Sequence, residues 1–185
     1  MENILVELPP SPGVYALHLT LAHQKQLQVG YLGEKLFPSG ENIYLGSAQC
    51  PGGLRARLRR HLSNNKSKRL HWHIDYLRQV SIIHGIHFVL WQNKESLMIP
   101  LECAWSQMLI NSPQASVPVK HFGSSDCKSG CPAHLVAFPL TKDHNIPLSI
   151  DNLDQYLAET NNPLLSKQVY QCFQSVRNIE NAVEC

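Results

Sequence analysis

An α+β domain is predicted for this 185-residue chain: a small, mainly antiparallel β-sheet flanked by helices, with a helical C-terminal extension. Three observations predict it. Alternating runs within residues 14–45 are joined by tight turns, too close together for the crossovers of a dozen or more residues that parallel pairing needs. Leu54, Leu58 and Leu62 then repeat at helical spacing. Residues 82–91 form a run rich in β-branched and aromatic side chains that suits another strand. Hydrophobic residues make up 43% and charged residues 16%, enough for a core and too little charge for a disordered chain or a coiled coil. No stretch approaches the roughly 18 apolar residues of a membrane span. Met1-Glu2-Asn3-Ile4 lacks the basic start and apolar run of a signal peptide. Six irregularly placed cysteines make no disulfide framework and fit a reducing compartment, so a cytoplasmic protein without membrane association is expected.

Taken in order, Pro9-Pro10-Ser11-Pro12-Gly13 is a stiff entry that precedes the first regular element. Val14 to Leu19 follows as a strand with Tyr15, Leu17 and Leu19 on one face. Leu27 to Leu32 is the second strand, Phe37 to Gly40 a turn, and Ile43-Tyr44-Leu45 the third strand. Cys50-Pro51-Gly52-Gly53 ends the strand pattern and opens the helix Leu54–Leu62, on which Arg57 and His61 flank the leucine stripe while Arg59 and Arg60 point away. Leu70 to Leu77 is a second helical piece, Ile82 to Trp91 a long strand, and Pro100 a favoured first-turn residue for a helix whose apolar face is Leu101, Trp105, Met108 and Leu109. Residues 111–133 are a long Ser/Pro/Gly-rich connection, of a length that in a compact domain is usually either functional or poorly ordered. His134 to Leu140 is the last core strand, and the tail carries an amphipathic segment, Leu164 to Val176, read as helix. The division expected is 1–145 for the domain and 146–185 for the extension.

The net charge of +2 conceals an asymmetry. Between Arg55 and Arg78 eight basic residues face one acid, Asp75, so this segment is +7 and the remainder −5. Such a patch is the footprint of a polyanion partner or, equally on charge alone, a solvated helix face.

Pro12-Gly13-Val14-Tyr15, Ile43-Tyr44-Leu45-Gly46-Ser47-Ala48, the helix through Arg57 and His61, and Glu102 on a later helix resemble the GIY-YIG nuclease superfamily. More narrowly, the hairpin Val29–Gly33 with Phe37–Gly40, and Phe122–Cys127 followed by His134-Leu135, are similar to a branch that is sometimes fused to endonuclease III-type repair proteins. Val14 and Leu45 replace the isoleucines of the family name, and Cys50–Gly53 lengthens the approach to the helix. The family arginine is therefore assigned through the spacing of Arg57 and His61, with Arg55 as competitor.

The resemblance implies a metal-dependent endonuclease acting on nucleic acid, DNA in preference to RNA, in repair or processing and in company with a repair protein. Hydrolysing a phosphodiester requires a positioned water, a proton acceptor and positive charge facing the phosphate oxygens. The family supplies Tyr15 as base or water-orienting hydroxyl, Tyr44 beside it, Arg57 as the phosphate fork and His61 to orient water or phosphate. A phenol is a poor base at neutral pH, so this assignment requires a cation that lowers Tyr15. Glu102 would hold one Mg²⁺ or Mn²⁺ ion. Arg55, Arg59, Arg60, Lys66, Lys68 and Arg69 would add backbone affinity, and His73, Ser124 and Ser125, with Asp126, would touch substrate.

Without the family, Tyr15 and Tyr44 read first as core partners across two strands, Glu102 first as a complement to the helix dipole, and Arg57 and His61 as a surface pair on an amphipathic helix. Cys127, Cys131 and His134 form a three-ligand zinc pattern that needs a fourth group such as His121; the reading preferred over zinc is a loop closing on the tyrosine face. The rival functions are a nucleic-acid-binding module that keeps the fold without turnover, and a zinc-stabilised adaptor.

Overall fold

Strand β1 (Gly13–Leu21) is the centre about which the other elements are ordered. The computed structural model describes residues 8–63, 65, 67–90, 99–139 and the backbone of 174–177, and the statements below concern these. Antiparallel partners flank β1 on both sides: β4 (Gly40–Ala48), with Tyr15 opposite Gly46 and Leu17 opposite Tyr44, and β5 (Ile82–Leu90), with Tyr15 opposite Phe88. Strand β6 (Leu135–Phe138) extends the sheet beyond β4, and β7 (Gln174–Arg177) pairs with the outer edge of β5.

Both faces of β1 are buried because helices cover both sides of the sheet. On one side Tyr15, Leu17 and Leu19 meet α1 (Gly53–Leu62) and α2 (His73–Arg78) through Leu54, Leu58, Ile74 and Leu77. On the other, Val14, Ala16, Ile43 and Leu45 pack on α3 (Leu101–Ile110) through Leu101, Trp105 and Leu109. The α+β class and the antiparallel sheet agree with the sequence expectation.

Three details differ. Strand β2 (Lys25–Val29) ends three residues short of Leu32, because Gly30–Leu32 turns as a 3₁₀ segment. With β3 (Gly33–Phe37) it makes a separate two-stranded hairpin rather than a member of the main sheet. Val29 and Phe37 are its only fully buried residues, too little apolar surface for an interior strand, so β1 passes directly to β4. Helix α2 begins at His73, not Leu70. The tail expected to be helical lies mostly outside the described residues, and its described part is strand β7: the edge of β5 offers unpaired backbone groups that a strand satisfies and a helix would not. Lys66, Trp91, Leu140 and residues 146–173 also lie outside the described set. No helix among the described residues is long and apolar enough to cross a membrane.

Candidate active site

A cleft of about 590 Å³ opens beside the β1–β4 pair, and Tyr15, Tyr44, Arg57, His73, Glu102 and Asp126 all line it. Six segments distant in sequence supply these groups. Gly46 makes room for the first: a Cβ there would stand 2.5 Å from the Tyr15 hydroxyl, so a glycine opposite Tyr15 lets its ring lie across the neighbouring strand toward Tyr44, with ring centres 6.4 Å apart. Gly123 does the same for Tyr44, since a Cβ there would be 2.8 Å from that ring, and its φ of +75° suits glycine.

Behind Tyr15 lies a buried polar chain. The Tyr15 hydroxyl is 2.9 Å from His61 Nε2, and His61 Nδ1 is 3.5 Å from Asp75 Oδ1. An imidazole with its proton on Nδ1, the nitrogen nearer the carboxylate, would leave Nε2 to accept from the phenol. Asp75 is completely buried and anchors several groups: Lys68 Nζ at 2.8 Å, Arg60 Nη2 at 3.1 Å, and the backbone N–H groups of His71 and Trp72 at 3.0 and 3.1 Å. Burial alone would raise this carboxyl, but these partners and His61 outweigh it and hold it far below the ordinary carboxylate range.

Burial pushes the Tyr15 phenol well above its ordinary value and Tyr44 adds to the effect, while Arg57 pulls the other way without prevailing. Tyr44 is raised by burial in the same manner. The expectation that a nearby cation lowers Tyr15 is thus not met by the protein's own charges, because a fully enclosed phenolate costs more than one half-buried guanidinium returns. Burial lowers His61 against the pull of Asp75, so the ring is neutral at neutral pH and able to take a proton.

Arg57 is half-buried, its guanidinium 4.4 Å from the Trp72 ring centre, which steadies a side chain aimed into the cleft. Glu102 stands in the first turn of α3, and its Oε2 is buried with no hydrogen-bond partner among the described residues. An orphaned carboxylate oxygen at a cleft fits a hard divalent cation. His73 accepts the Gly123 N–H at Nδ1 (2.9 Å), tying the long connection to α2, and Tyr31, 72% exposed, stands at the cleft mouth 5.3 Å from the His73 ring.

The remaining basic residues divide. Arg55, Arg59 and Arg69 are exposed, whereas Arg60 and Lys68 are committed to Asp75. Ser125 lines the cleft, but Ser124 is buried and donates to the Cys131 carbonyl, so it does not reach a substrate there. The sequence places Asp75 in a polar cluster with His71, Trp72 and His73 but gives neither it nor Tyr31 a site role; that Asp75 is the lone acid of the basic run is the available signal.

Cys103, Cys127 and His134 line the same cleft, and with Cys131 their donor atoms all lie within 4.8 Å of one another. The fourth member is Cys103 of α3, not His121, which is exposed at a turn with φ of 64°. Burial pushes the Cys103 and Cys131 thiols up; at Cys127 burial is outweighed by hydrogen bonds from the Cys131 backbone and from Cys103, and the thiol is lowered. Three sulfurs and an imidazole suit zinc, whereas Mg²⁺ and Mn²⁺ prefer oxygen.

No curated protein and no solved structure gives a significant match to the chain. A family model does, across residues 14–154, a span that contains every cleft residue described above. The chain belongs to the family described as "Domain of unknown function DUF123".

Proposed function

We propose that this protein is a divalent-metal-dependent endonuclease that hydrolyses nucleic-acid phosphodiester bonds at one active site. The observation that carries the reading is the convergence of Tyr15, Arg57 and Glu102 on one cleft, with a neutral His61 hydrogen-bonded behind Tyr15. The resemblance to GIY-YIG nucleases rests on these same positions, and it favours DNA over RNA, a repair or processing role and a partner repair protein.

Tyr15 acts as a relay rather than as a free phenolate. Its hydroxyl lies 2.9 Å from His61 Nε2 and, by donating to it, leaves its oxygen to accept a hydrogen bond from a water in the cleft. As that water attacks phosphorus, its proton moves to Tyr15 while the Tyr15 proton moves to His61, and the imidazolium is stabilised by Asp75. Arg57 faces the charge that develops on the non-bridging oxygens. A Mg²⁺ or Mn²⁺ ion held by Glu102 would supply Lewis-acid stabilisation of the phosphate and leaving oxygens.

The test is cleavage of labelled single-stranded, duplex, nicked, flap and four-way DNA, and of RNA, with added Mg²⁺ or Mn²⁺. Wild type is expected to cut at least one substrate, with Glu102→Ala and Tyr15→Phe retaining binding and losing turnover by about 100-fold or more, the scale of a lost general base or metal ligand. Binding without cleavage by wild type on the whole panel would reject hydrolysis in favour of a binding module.

A further inference from the structure

We propose that Cys103, Cys127, Cys131 and His134 bind a structural Zn²⁺ ion that fastens the 111–134 connection to helix α3. This inference is independent of the nuclease reading. The connection contains no regular element among its described residues and only one isolated bridge to the sheet, Ser116 to Ala137. Its far end is nonetheless buried: Cys131, Ala133 and His134 are 4%, 0% and 7% exposed. Three thiols and a ring nitrogen in one small volume are poorly satisfied by their own weak hydrogen bonds. A cation supplies what they lack.

The donor separations suit a four-coordinate centre. Zinc bonds of about 2.3 Å to sulfur and about 2.0 Å to nitrogen place neighbouring donors about 3.5–3.8 Å apart. Cys103 Sγ is 3.4 Å from Cys127 Sγ and 3.6 Å from His134 Nε2. Nε2 of His134 is the nitrogen that faces Cys103 and is the ligand atom of this site. Ser124 Oγ holds the Cys131 carbonyl at 3.1 Å, and Ser106 Oγ of α3 holds that of Ala133. On binding, the three thiols release their protons to solvent and the ion takes three thiolates and one neutral imidazole. Four protein donors leave no open position, so this ion holds structure and does not activate water. Glu102 adjoins Cys103, and the ion therefore also fixes the turn of α3 that presents this carboxylate to the cleft.

The experiment measures the metal content of the full chain, purified with reductant and no chelator, followed by Co²⁺ titration of metal-stripped protein. One zinc per chain is expected, with the intense absorption of a tetrahedral cobalt–thiolate site that one equivalent of Zn²⁺ abolishes. Cys103→Ser and Cys127→Ser should lose the zinc, whereas His121→Ala and the four-donor variant His134→Cys should keep it. A wild-type chain with six titratable thiols, no zinc and only the weak absorption of octahedral cobalt would overturn the proposal, whether or not the serine variants fold. Zinc kept by Cys103→Ser and lost by His121→Ala would overturn the ligand set. Glu102→Ala keeps its zinc on this proposal, so failure here and failure of the nuclease reading are separate results.

Discussion

Replacing Asp75 with alanine should destabilise the fold far more than an ordinary surface substitution, for a reason that can be followed atom by atom. The carboxylate is fully buried and receives Lys68 at 2.8 Å, Arg60 at 3.1 Å and two backbone N–H groups. Removing it leaves a Lys68 head whose side chain is only 11% exposed with the Arg60 carbonyl but no carboxylate at hand, and breaking a buried pair in this way costs about 3–5 kcal/mol. Arg60, 36% exposed, regains water and adds under about 1 kcal/mol. These costs overlap, and about 4 kcal/mol at about 3 °C per kcal/mol for a chain of this size lowers the melting temperature by about 12 °C. The acid dependence is a second readout. A carboxyl held below its unfolded value of about 3.9 contributes fully above that pH and loses its contribution as pH falls toward the native value. The gap between wild type and Asp75→Ala should therefore be constant from pH 7 to about 5 and narrow below about 4. Thermal melts followed by circular dichroism across this range decide the matter. A variant melting within about 3 °C of wild type at pH 7, under about 1 kcal/mol, would refute the argument.

Gly46→Ala should behave as a Tyr15 variant, because the new Cβ falls 2.5 Å from a hydroxyl that has nowhere to retreat. Overpacking costs about 1–3 kcal/mol, and a displacement of about 1 Å in a positioned group lowers turnover by about 100-fold. Unchanged single-turnover cleavage would sink this account. DNA affinity should fall with salt along a log–log slope of about −3 at about 0.9 per contact, since among the described residues of the basic run Arg57, Arg59 and Arg69 face phosphate once Arg60 and Lys68 are committed to Asp75 and Arg55 to the Leu8 carbonyl. Arg59→Ala should flatten that slope by about one, and Lys68→Ala should change melting temperature more than slope; binding titrations from 50 to about 300 mM salt report both.

The parts of this site legible in the sequence are those with a period. Tyr15 and Tyr44 sit on strands whose alternation fixes their face, and His61 follows Arg57 by one helical turn, so these neighbours could be assigned before any coordinates. Cys103 could not: among the apolar residues of α3 it looks like core, and only the docking of that helix against the connection brings it to Cys127. Asp75 was hidden for a related cause, because nothing local shows that the positive charges on either side of it fold inward onto its carboxylate. The hairpin β2–β3 was misplaced since alternation specifies a strand and not the sheet it joins.

The position of β1 between β4 and β5 also sets an order of events in time. Gly13 pairs with Ala48 on one side and with Leu90 on the other, so one flank of this buried strand waits for roughly 70 more residues to be made, about 4–14 s at about 5–20 residues per second. Through that interval an unpaired strand edge is open to any other nascent strand. A chain ending before β5 should accordingly be recovered as aggregate, and slowing initiation or lowering the growth temperature should raise the yield of folded full-length protein more than any change made at the cleft.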